Sequence, residues 1–278
     1  MSRAIRCVIV AIMTSIEWEI CESGPARADH TVLLLPGGLH RARSYAELMA
    51  QSALAGVHLV AATLPGHGGT PPPEDFSIEN YARLAAELAA DVGCDVVVGF
   101  SIGATVALEM AASRSFPGPV VLLGPSLSRP DEPAFLRAMD RLGSVLGHLP
   151  STAMLRMIPI AAKHARVSPD RRAELIADLQ KNDPAVMRQI FRGYLSYLGR
   201  HDAPAQRLCN AGVPAWVVHA DKGDGGLTDQ ERSTLEACAH TKTITIPGTS
   251  YFIPNEEPER VATYISQALN RAAAGRSR

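Results

Sequence analysis

The sequence predicts an α/β fold, with a mostly parallel sheet that is flanked by helices and carries an inserted helical lid. Strand-like and helical runs alternate up to about residue 128, give way to helical runs alone over about 129–208, and then alternate again. With 278 residues, the chain is long enough for one large domain with an insertion. We therefore expect a core formed by residues 1–128 and 209–272, a lid at 129–208 and a disordered tail at 273–278.

The first half of the core is predicted from apolar runs and helix-capping residues. Residues 7–13 are apolar and residues 14–21 alternate between apolar and polar, which is typical of an edge hairpin. Ser44 with Glu47 forms the pattern of a capping box, and Ser77 is placed to cap a second helix. Buried strands are predicted at 31–35, 57–62, 96–98 and 120–124.

The lid and the second half of the core follow from proline and capping positions. Four helical stretches are predicted within the lid, and Ser168 and Asp183 each precede a proline, which is the pattern of a helix N-cap followed by proline. Thr228 and Glu231 form another capping box. Beyond the lid, strands are predicted at 214–219 and 241–246, and a final helix at 258–272.

Composition and charge are typical of a globular protein and argue against several classes of partner. Hydrophobic residues make up 46% of the chain, the net charge is −1, and no basic stripe interleaved with aromatic residues occurs, so nucleic acid is excluded as an expected partner. No apolar run approaches the length of a membrane span, so no membrane partner is expected. No metal-binding or nucleotide-binding motif is present, so neither a metal nor another cofactor is expected.

The cysteines are odd in number and scattered, with no C-x-x-C pair. This pattern predicts buried free thiols in a protein of the reducing cytoplasm. The five positions are Cys7, Cys21, Cys94, Cys209 and Cys238.

The segment around Ser101 carries the strongest functional signal in the chain. The valines at 96–98 predict a strand covered on both faces, and residues 105–112 predict a helix without glycine or proline. Between them, the run Gly99-Phe100-Ser101-Ile102-Gly103 has the form G-x-S-x-G. Glycines at these two positions allow a sharp turn that exposes the serine at a helix N-terminus, which is the arrangement of a nucleophile elbow.

Several spaced motifs together resemble the α/β-hydrolase fold superfamily, in particular its lidded lipase- and esterase-like serine hydrolases. The run Leu-Pro-Gly-Gly at 35–38 resembles the strand end that usually reads His-Gly, with Pro36 in the histidine position. The turn at 64–70 resembles the family's turn after the next strand, although Thr63 stands where aspartate is usual. The elbow, the lid insertion and the loop at 246–258 follow in the family's order, and the resemblance covers about residues 15–272.

This resemblance implies a role for each site residue. Ser101 would be the nucleophile, and the backbone N–H groups of Ile102 and Gly38 would form the oxyanion hole. The catalytic acid is expected in the loop after the strand that ends near residue 219, where Asp224 is favoured and Asp221 is the alternative.

One position departs from the family in a way that matters for catalysis. The loop that usually presents the catalytic histidine has Tyr251 at that position and contains no histidine. A histidine accepts and returns a proton near neutral pH, whereas a phenol with an ordinary pKa of about 10 donates a proton and hardly accepts one. His40 and His219 are expected near the pocket and could act as substitute bases, and His148 and His164 of the lid could contact the substrate. His67 is expected to pack locally within its turn, and the remaining histidines are His30, His58, His201 and His240.

Two functions remain open at this point. The first is a serine hydrolase that cleaves a small to medium, apolar carboxylic ester through an acyl-Ser101 intermediate, as a monomer or homodimer, with activity weakened by Tyr251. The second is a non-hydrolytic member of the fold that binds a ligand in the same pocket. A serine at the elbow argues against epoxide hydrolase and haloalkane dehalogenase chemistry, which use an aspartate there. Leu39, His40, Phe100 and Met154 are the expected substrate-binding residues.

Overall fold

The computed structural model describes residues 5–11, 16–25, 27–132, 134–161, 163, 165–201, 203–222 and 226–276. Its strands are β1 (Arg6–Ala11), β2 (Glu17–Ser23), β3 (Thr31–Leu35), β4 (His58–Ala62), β5 (Val96–Phe100), β6 (Val120–Leu123), β7 (Ala215–Lys222) and β8 (Thr241–Thr249). They form one eight-stranded sheet in the order β1-β2-β4-β3-β5-β6-β7-β8. β2 is antiparallel to β1 and to β4, and every other neighbouring pair is parallel. The predicted edge hairpin and mostly parallel sheet are confirmed.

Eleven α-helices surround this sheet in the described residues. They are α1 (Ala46–Met49), α2 (Ile78–Asp91), α3 (Ile102–Ala112), α4 (Ala134–Leu146), α5 (Leu149–Ala161), α6 (Pro169–Leu179), α7 (Pro184–Arg200), α8 (Pro204–Ala211), α9 (Asp229–Glu236), α10 (Ile253–Glu256) and α11 (Pro258–Arg276). Five of them, α4 to α8, lie between β6 and β7, which is where the sequence predicts the insertion. We call α4 to α7 the helical insertion; its boundaries as a domain stay a prediction.

The central strands are buried on both faces because their side chains are almost all aliphatic. Every residue of β5 and of β6 is buried. Alternate residues of β3 point to opposite faces: Leu33 and Leu35 pack in one core cluster, and Val32 and Leu34 pack in the other. The sheet is therefore a rigid layer between two cores, and its strand ends hold their loops in fixed positions.

Most helix starts follow the predicted capping residues, and one does not. Ser77, Ser168 and Asp183 accept backbone N–H bonds at the starts of α2, α6 and α7, and the capping box of Thr228 with Glu231 is present. The predicted capping box of Ser44 is wrong, because the segment begins as a 3₁₀ turn at Ala42–Tyr45 without a side-chain cap.

The final helix is longer than the sequence analysis predicts. α11 continues to Arg276, so residues 273–276 are helical instead of belonging to a disordered tail. Alanines at 272–274 are strong helix formers, and no proline stops the helix after residue 272. No helix in the described part of the chain is long and apolar enough to cross a bilayer.

The prediction of five free thiols is wrong for four of the cysteines. Cys7 and Cys21 are directly opposite each other on β1 and β2 and form a disulfide. Cys209 of α8 forms a second disulfide with Cys238, which follows the neighbouring α9. Cys94 is the free cysteine, and burial raises the pKa of its thiol to about 12. The sequence alone does not show strand register, so the pairing of Cys7 with Cys21 could not be predicted. With two disulfides, the cysteines no longer argue for a reducing compartment.

Candidate active site

Ser101 lies at the turn between β5 and α3, in a strained backbone conformation. Its φ is +50° and its ψ is −118°, which is rare for a residue with a side chain. The turn is held in place because the Ser101 N–H donates to the Leu123 carbonyl of β6 at 2.9 Å. Its own carbonyl accepts from the N–H groups of Ala104 and Thr105, so the helix begins directly after the serine. The predicted strand-turn-helix geometry is present.

The two elbow glycines are required by close backbone approach. A Cβ at Gly99 would overlap the backbone of Gly103 and lie 2.6 Å from the Ala104 Cα. A Cβ at Gly103 would overlap the Leu35 carbonyl and lie 2.5 Å from the Pro36 oxygen. The glycines therefore let α3 start against both its own strand and the end of β3, and this contact brings Ser101 beside the loop after β3.

The loop after β3 lies beside the start of α3. A Cβ at Gly38 would lie 2.6 Å from the Ile102 Cδ1, so the Gly38 backbone approaches the residue after the serine closely. The next residue, Leu39, has a left-handed φ of +69°. The side-chain amide of the buried Asn182, just before α7, donates to the Leu39 carbonyl at 2.9 Å. The insertion therefore holds the shape of the loop that presents Gly38.

Thr63 is part of a hydrogen-bonded network that includes a carboxylate from another strand. Its Oγ1 donates to a carboxylate oxygen of Glu19 on β2 at 2.7 Å and accepts from the Ala42 N–H at 2.8 Å. Arg41 forms an ion pair with the same Glu19 carboxylate. The carboxylate that the resemblance expects at position 63 is thus supplied by Glu19, and it ties the loop after β3 to the sheet.

A cavity of about 500 Å³ opens above Ser101. Its volume is in the range of pockets for drug-sized ligands. It brings together most of the residues predicted from sequence, namely Gly38, Leu39, His40, Ser101, Ile102, Met154 and Tyr251. Phe100 does not line this cavity; its ring packs under Gly37 and lies 6.5 Å from the His40 ring.

Tyr251 lies on the cavity wall, in the loop where the resemblance expects a histidine, and its side chain is half-exposed. Its N–H donates to the Glu256 carboxylate at 3.3 Å, and the same carboxylate accepts from the Arg166 N–H of the insertion at 3.1 Å. Asn255 adds a second link, because its side chain donates to the Glu47 carboxylate, which also pairs with Arg171 of α6. The Tyr251 loop is therefore attached to both the sheet domain and the insertion.

Only one of the two candidates for the catalytic acid lies within the described residues. Asp224 lies outside the described residues. Asp221 is exposed and accepts a hydrogen bond of 3.0 Å from the Gly248 N–H, which ties the end of β7 to β8. The choice between the two stays a prediction.

Of the described histidines, His40 is the one that lines the cavity. Burial lowers the pKa of its imidazole to about 4, so the ring is neutral near pH 7. Its ring stands edge-on to the Phe252 ring, with the two centroids 5.5 Å apart. His219 is buried on β7, and neither it nor His148 lines the cavity. His164 lies outside the described residues.

The sequence analysis missed several residues of the cavity wall. The most polar is Glu132, a buried carboxyl group that accepts hydrogen bonds from the Tyr194 hydroxyl at 2.6 Å and the Ser126 hydroxyl at 2.5 Å. An acidic residue shortly after a buried strand was the one sequence signal for it, since parallel strand ends converge at one edge. The other missed wall residues are Leu136, Ile158, Leu179, Phe191, Tyr194 and Phe252.

The arrangement can bind an apolar ligand and place its carbonyl group beside Ser101. The N–H groups at the start of α3 and in the Gly38 loop are hydrogen-bond donors suited to an oxyanion. Most side chains of the described wall are aliphatic or aromatic, and its polar side chains are those of Ser101, His40, Glu132, Tyr194 and Tyr251. Within the described residues, no group of three His, Cys, Asp or Glu side chains is arranged to hold a metal ion.

Comparison with solved structures finds the same fold over nearly the whole chain. An esterase from Thermogutta terrifontis is 17% identical with a TM-score of 0.72, and the match covers 96% of this chain and 99% of that one. A thioesterase domain from the curacin biosynthetic pathway is 19% identical with a TM-score of 0.69, covering 94% and 99%. The epoxide hydrolase CorEH is 16% identical with a TM-score of 0.73, covering 96% and 99%. At such identities, the likeness concerns the fold.

Sequence comparison gives the family. No curated protein sequence matches the chain significantly. The sequence model of the alpha/beta hydrolase family, however, matches residues 32–264, a range that includes the elbow, the insertion and the Tyr251 loop. The chain therefore belongs to the alpha/beta hydrolase family, and the predicted α/β-hydrolase fold is confirmed.

Proposed function

We propose that this protein is a serine hydrolase that cleaves a neutral carboxylic ester of small to medium size. The observation that carries the proposal is the strained backbone of Ser101, with a φ of +50°, at the floor of an apolar cavity. Strain of this kind costs free energy and is concentrated at functional sites. The esterase and thioesterase among the similar structures support the same reaction class.

The proposed reaction proceeds through an acyl-enzyme. The Ser101 Oγ attacks the carbonyl carbon and forms a tetrahedral intermediate, whose oxyanion accepts hydrogen bonds from the N–H groups of Ile102 and Gly38. The ester C–O bond then breaks, the alcohol leaves with a proton, and the acyl group remains on Ser101. Water hydrolyses this second ester and releases the acid. The apolar wall formed by Leu39, Met154 and the neighbouring side chains would bind the hydrocarbon part of the substrate.

The proton of Ser101 requires an acceptor, and the cavity offers a weak one. The imidazole of His40 is neutral near pH 7 and can accept a proton, but a pKa of about 4 gives little driving force. The phenol of Tyr251 can donate a proton or a hydrogen bond to the leaving group. We therefore infer low turnover for the natural sequence, with a large share of the rate coming from the oxyanion hole and from binding.

An ester panel tests this proposal. Purified protein is assayed with p-nitrophenyl esters of increasing acyl length, beside Ser101→Ala and a matched control, Ser196→Ala, which changes an exposed serine of α7 outside the cavity. We expect turnover in the natural sequence and in Ser196→Ala, with a preference set by acyl length, and none above background in Ser101→Ala. Activity that is unchanged in Ser101→Ala would contradict the proposal.

A second candidate function is a non-hydrolytic binding pocket, and Tyr251 is the observation that favours it. A hydroxyl group at the position of the catalytic histidine can hold a ligand carbonyl by donating a hydrogen bond, while it leaves Ser101 without a strong base. In this case, esters would bind in the cavity without being cleaved. Saturable ligand binding by calorimetry, together with identical background hydrolysis in the natural sequence and Ser101→Ala, would support this candidate over the first.

A further inference from the structure

The helical insertion carries an exposed apolar face. Of the nine large apolar side chains that are most exposed in the described residues, seven belong to α4 and α5. The side chain of Val145 is 83% exposed and that of Leu149 is 60% exposed. The other five are Phe135, Leu142, Leu146, Met157 and Ile160.

These side chains form one stripe on each helix. Phe135, Leu142 and Leu146 follow one another on α4 at spacings of seven and four residues, which places them on one side of the helix. Leu149, Met157 and Ile160 do the same on α5, at spacings of eight and three. Other side chains of the same helices line the cavity above Ser101, namely Leu136 on α4 and Met154 and Ile158 on α5. Both helices therefore have some apolar side chains at the cavity and others that face solvent.

The same segment is positively charged. Residues 134–166 include five Lys or Arg and one acidic residue, although the whole chain has a net charge of −1. Two of the five are engaged: Arg137 donates to backbone carbonyls, and Arg166 pairs with Glu256 and Glu257. The remaining three are exposed and form no ion pair with a residue whose side chain is described; they are Arg141, Arg156 and Lys163.

These three exposed cations lie beside the apolar stripes. Arg141 is four residues before Val145, Arg156 is four residues before Ile160, and Lys163 is three residues after Ile160. Residues four apart on a helix are neighbours on its surface, which applies to Arg141 and Arg156, whereas Lys163 follows shortly after the last residue of α5. An apolar face with adjacent Lys and Arg is the pattern of helices that lie in the surface of a bilayer, where the apolar side chains insert and the cations contact anionic headgroups.

We propose that the exposed face of α4 and α5 docks the protein on a lipid surface that contains anionic headgroups. A second copy of the chain fits this face less well, because two such faces would bring their positive charges together. Docking would turn the helices that form the outer wall of the cavity toward the bilayer. The inference does not depend on hydrolysis, because it concerns binding by the outer face of the insertion.

Vesicle sedimentation tests the proposal with the full chain. Vesicles of ether-linked phosphatidylcholine are neutral, and vesicles that also contain ether-linked phosphatidylglycerol are anionic. Neither lipid has an ester bond that the protein could cleave. We expect the protein to sediment with the anionic vesicles more strongly than with the neutral ones, and less as salt is added. No binding to the anionic vesicles would overturn the proposal, whatever the ester assays show.

A charge variant and a matched control identify the surface. In Arg141→Gln/Arg156→Gln/Lys163→Gln, we expect affinity for anionic vesicles to fall on the order of 100-fold, because each cation near such a surface contributes about fivefold. The control Arg27→Gln/Arg114→Gln/Arg271→Gln removes the same charge from exposed positions outside the insertion and should change affinity by less than about twofold. Equal losses of vesicle affinity in both variants would show that the protein is attracted by its overall positive charges and not through this face, which would overturn the proposal.

The apolar stripes are tested separately. Val145→Ser/Leu149→Ser should bind anionic vesicles more weakly at unchanged thermal stability, because both side chains are exposed in the folded protein. Val145→Trp should show tryptophan emission that shifts to shorter wavelength on the vesicles. If the tryptophan emission of Val145→Trp does not shift on the vesicles, this face does not insert into the bilayer surface. If the protein is a dimer in solution and Val145→Ser/Leu149→Ser dissociates it, the face binds a second copy of the chain. If the protein binds immobilised polyglutamate but no vesicles, the face binds an acidic protein. Either result overturns the lipid proposal.

Discussion

The side-chain amide of Asn182 donates a hydrogen bond of 2.9 Å to the carbonyl of Leu39, and this bond connects the helical insertion to the proposed oxyanion loop. The Asn182 Oδ1 accepts from the Gly68 N–H at 2.7 Å, so one buried side chain joins three segments. Leu39 has a left-handed φ, and a fixed partner for its carbonyl helps to hold that conformation. The insertion thus contributes to the shape of the site as well as covering it.

Asn182→Ala should lower both stability and activity. The variant leaves the Leu39 carbonyl and the Gly68 N–H without their partner, which costs about 1–3 kcal/mol for each buried group. A loosened loop should also lower kcat by about tenfold or more, since oxyanion donors act through their position. Urea unfolding and ester turnover measure the two effects. The control Asn210→Ala removes an asparagine whose side chain bonds to the exposed Gln206, and it should change neither quantity; equal effects in both variants would contradict the role of Asn182.

Tyr251→His should raise activity if the site is complete apart from its base. A positioned general base contributes about 10²–10⁴-fold, so we expect kcat/KM on short esters to rise on the order of 100-fold. The new activity should increase with pH through about 6.5, because the imidazole must be neutral to accept the serine proton. Tyr251→Phe is the matched control and should show no gain. The absence of any gain in Tyr251→His would mean that the missing histidine does not limit the natural sequence.

Acid should destabilise the protein partly through two buried histidines. Burial lowers the pKa of His40 and of His67 from 6.5 to about 4. Because protonation favours the unfolded chain, the stability that each neutral ring contributes is present above pH 6.5 and is lost as the pH falls toward 4, up to about 3 kcal/mol for each.

Urea unfolding at pH 7 and at pH 4.5 checks this prediction. The double variant His40→Gln/His67→Gln should lose less stability on acidification than the natural sequence. His240→Gln, which changes an exposed histidine, should lose as much as the natural sequence. A double variant with unchanged acid sensitivity would show that the two rings do not titrate on unfolding.

Thiol counting checks the two disulfides. Without reductant, denatured protein should expose one reactive thiol out of five, at Cys94, and all five should react after reduction. In the folded protein, Cys94 should be unreactive, because burial raises its thiol pKa to about 12. Reduction should lower the free energy of unfolding by about 2–5 kcal/mol. Five reactive thiols in the absence of reductant would contradict the disulfide assignment.

The parts of the molecule that local sequence determines were predictable. The elbow is one example, since the glycines at 99 and 103, the strand before them and the helix after them lie within a short segment. The caps at Ser77, Ser168 and Asp183 are others, because a cap depends on the next few residues. The capping box at Ser44 failed for the opposite reason: the carboxylate of Glu47 pairs with Arg171 and Asn255, which are distant in the sequence.

The features that could not be predicted from the sequence depend on contacts between residues distant in the chain. Glu132 belongs to the site because the Tyr194 hydroxyl of α7, distant in the sequence, donates a hydrogen bond to it. The pairing of Cys7 with Cys21 depends on strand register. The exposed apolar stripes of α4 and α5 could not be told apart from buried ones by periodicity, since other apolar side chains of these helices line the cavity. No membrane partner was expected from the sequence because no apolar run is long enough to span a bilayer, whereas docking on a lipid surface needs no such span.

Covalent labelling of Ser101 tests the central claim most directly. The protein is treated with a fluorophosphonate, its intact mass is followed with time, and the modified peptide is mapped, with Ser101→Ala treated in parallel. We expect a single adduct on the peptide that contains Ser101 and none in Ser101→Ala. A natural sequence that stays unlabelled, or an adduct that persists in Ser101→Ala, would contradict Ser101 as the nucleophile of this hydrolase.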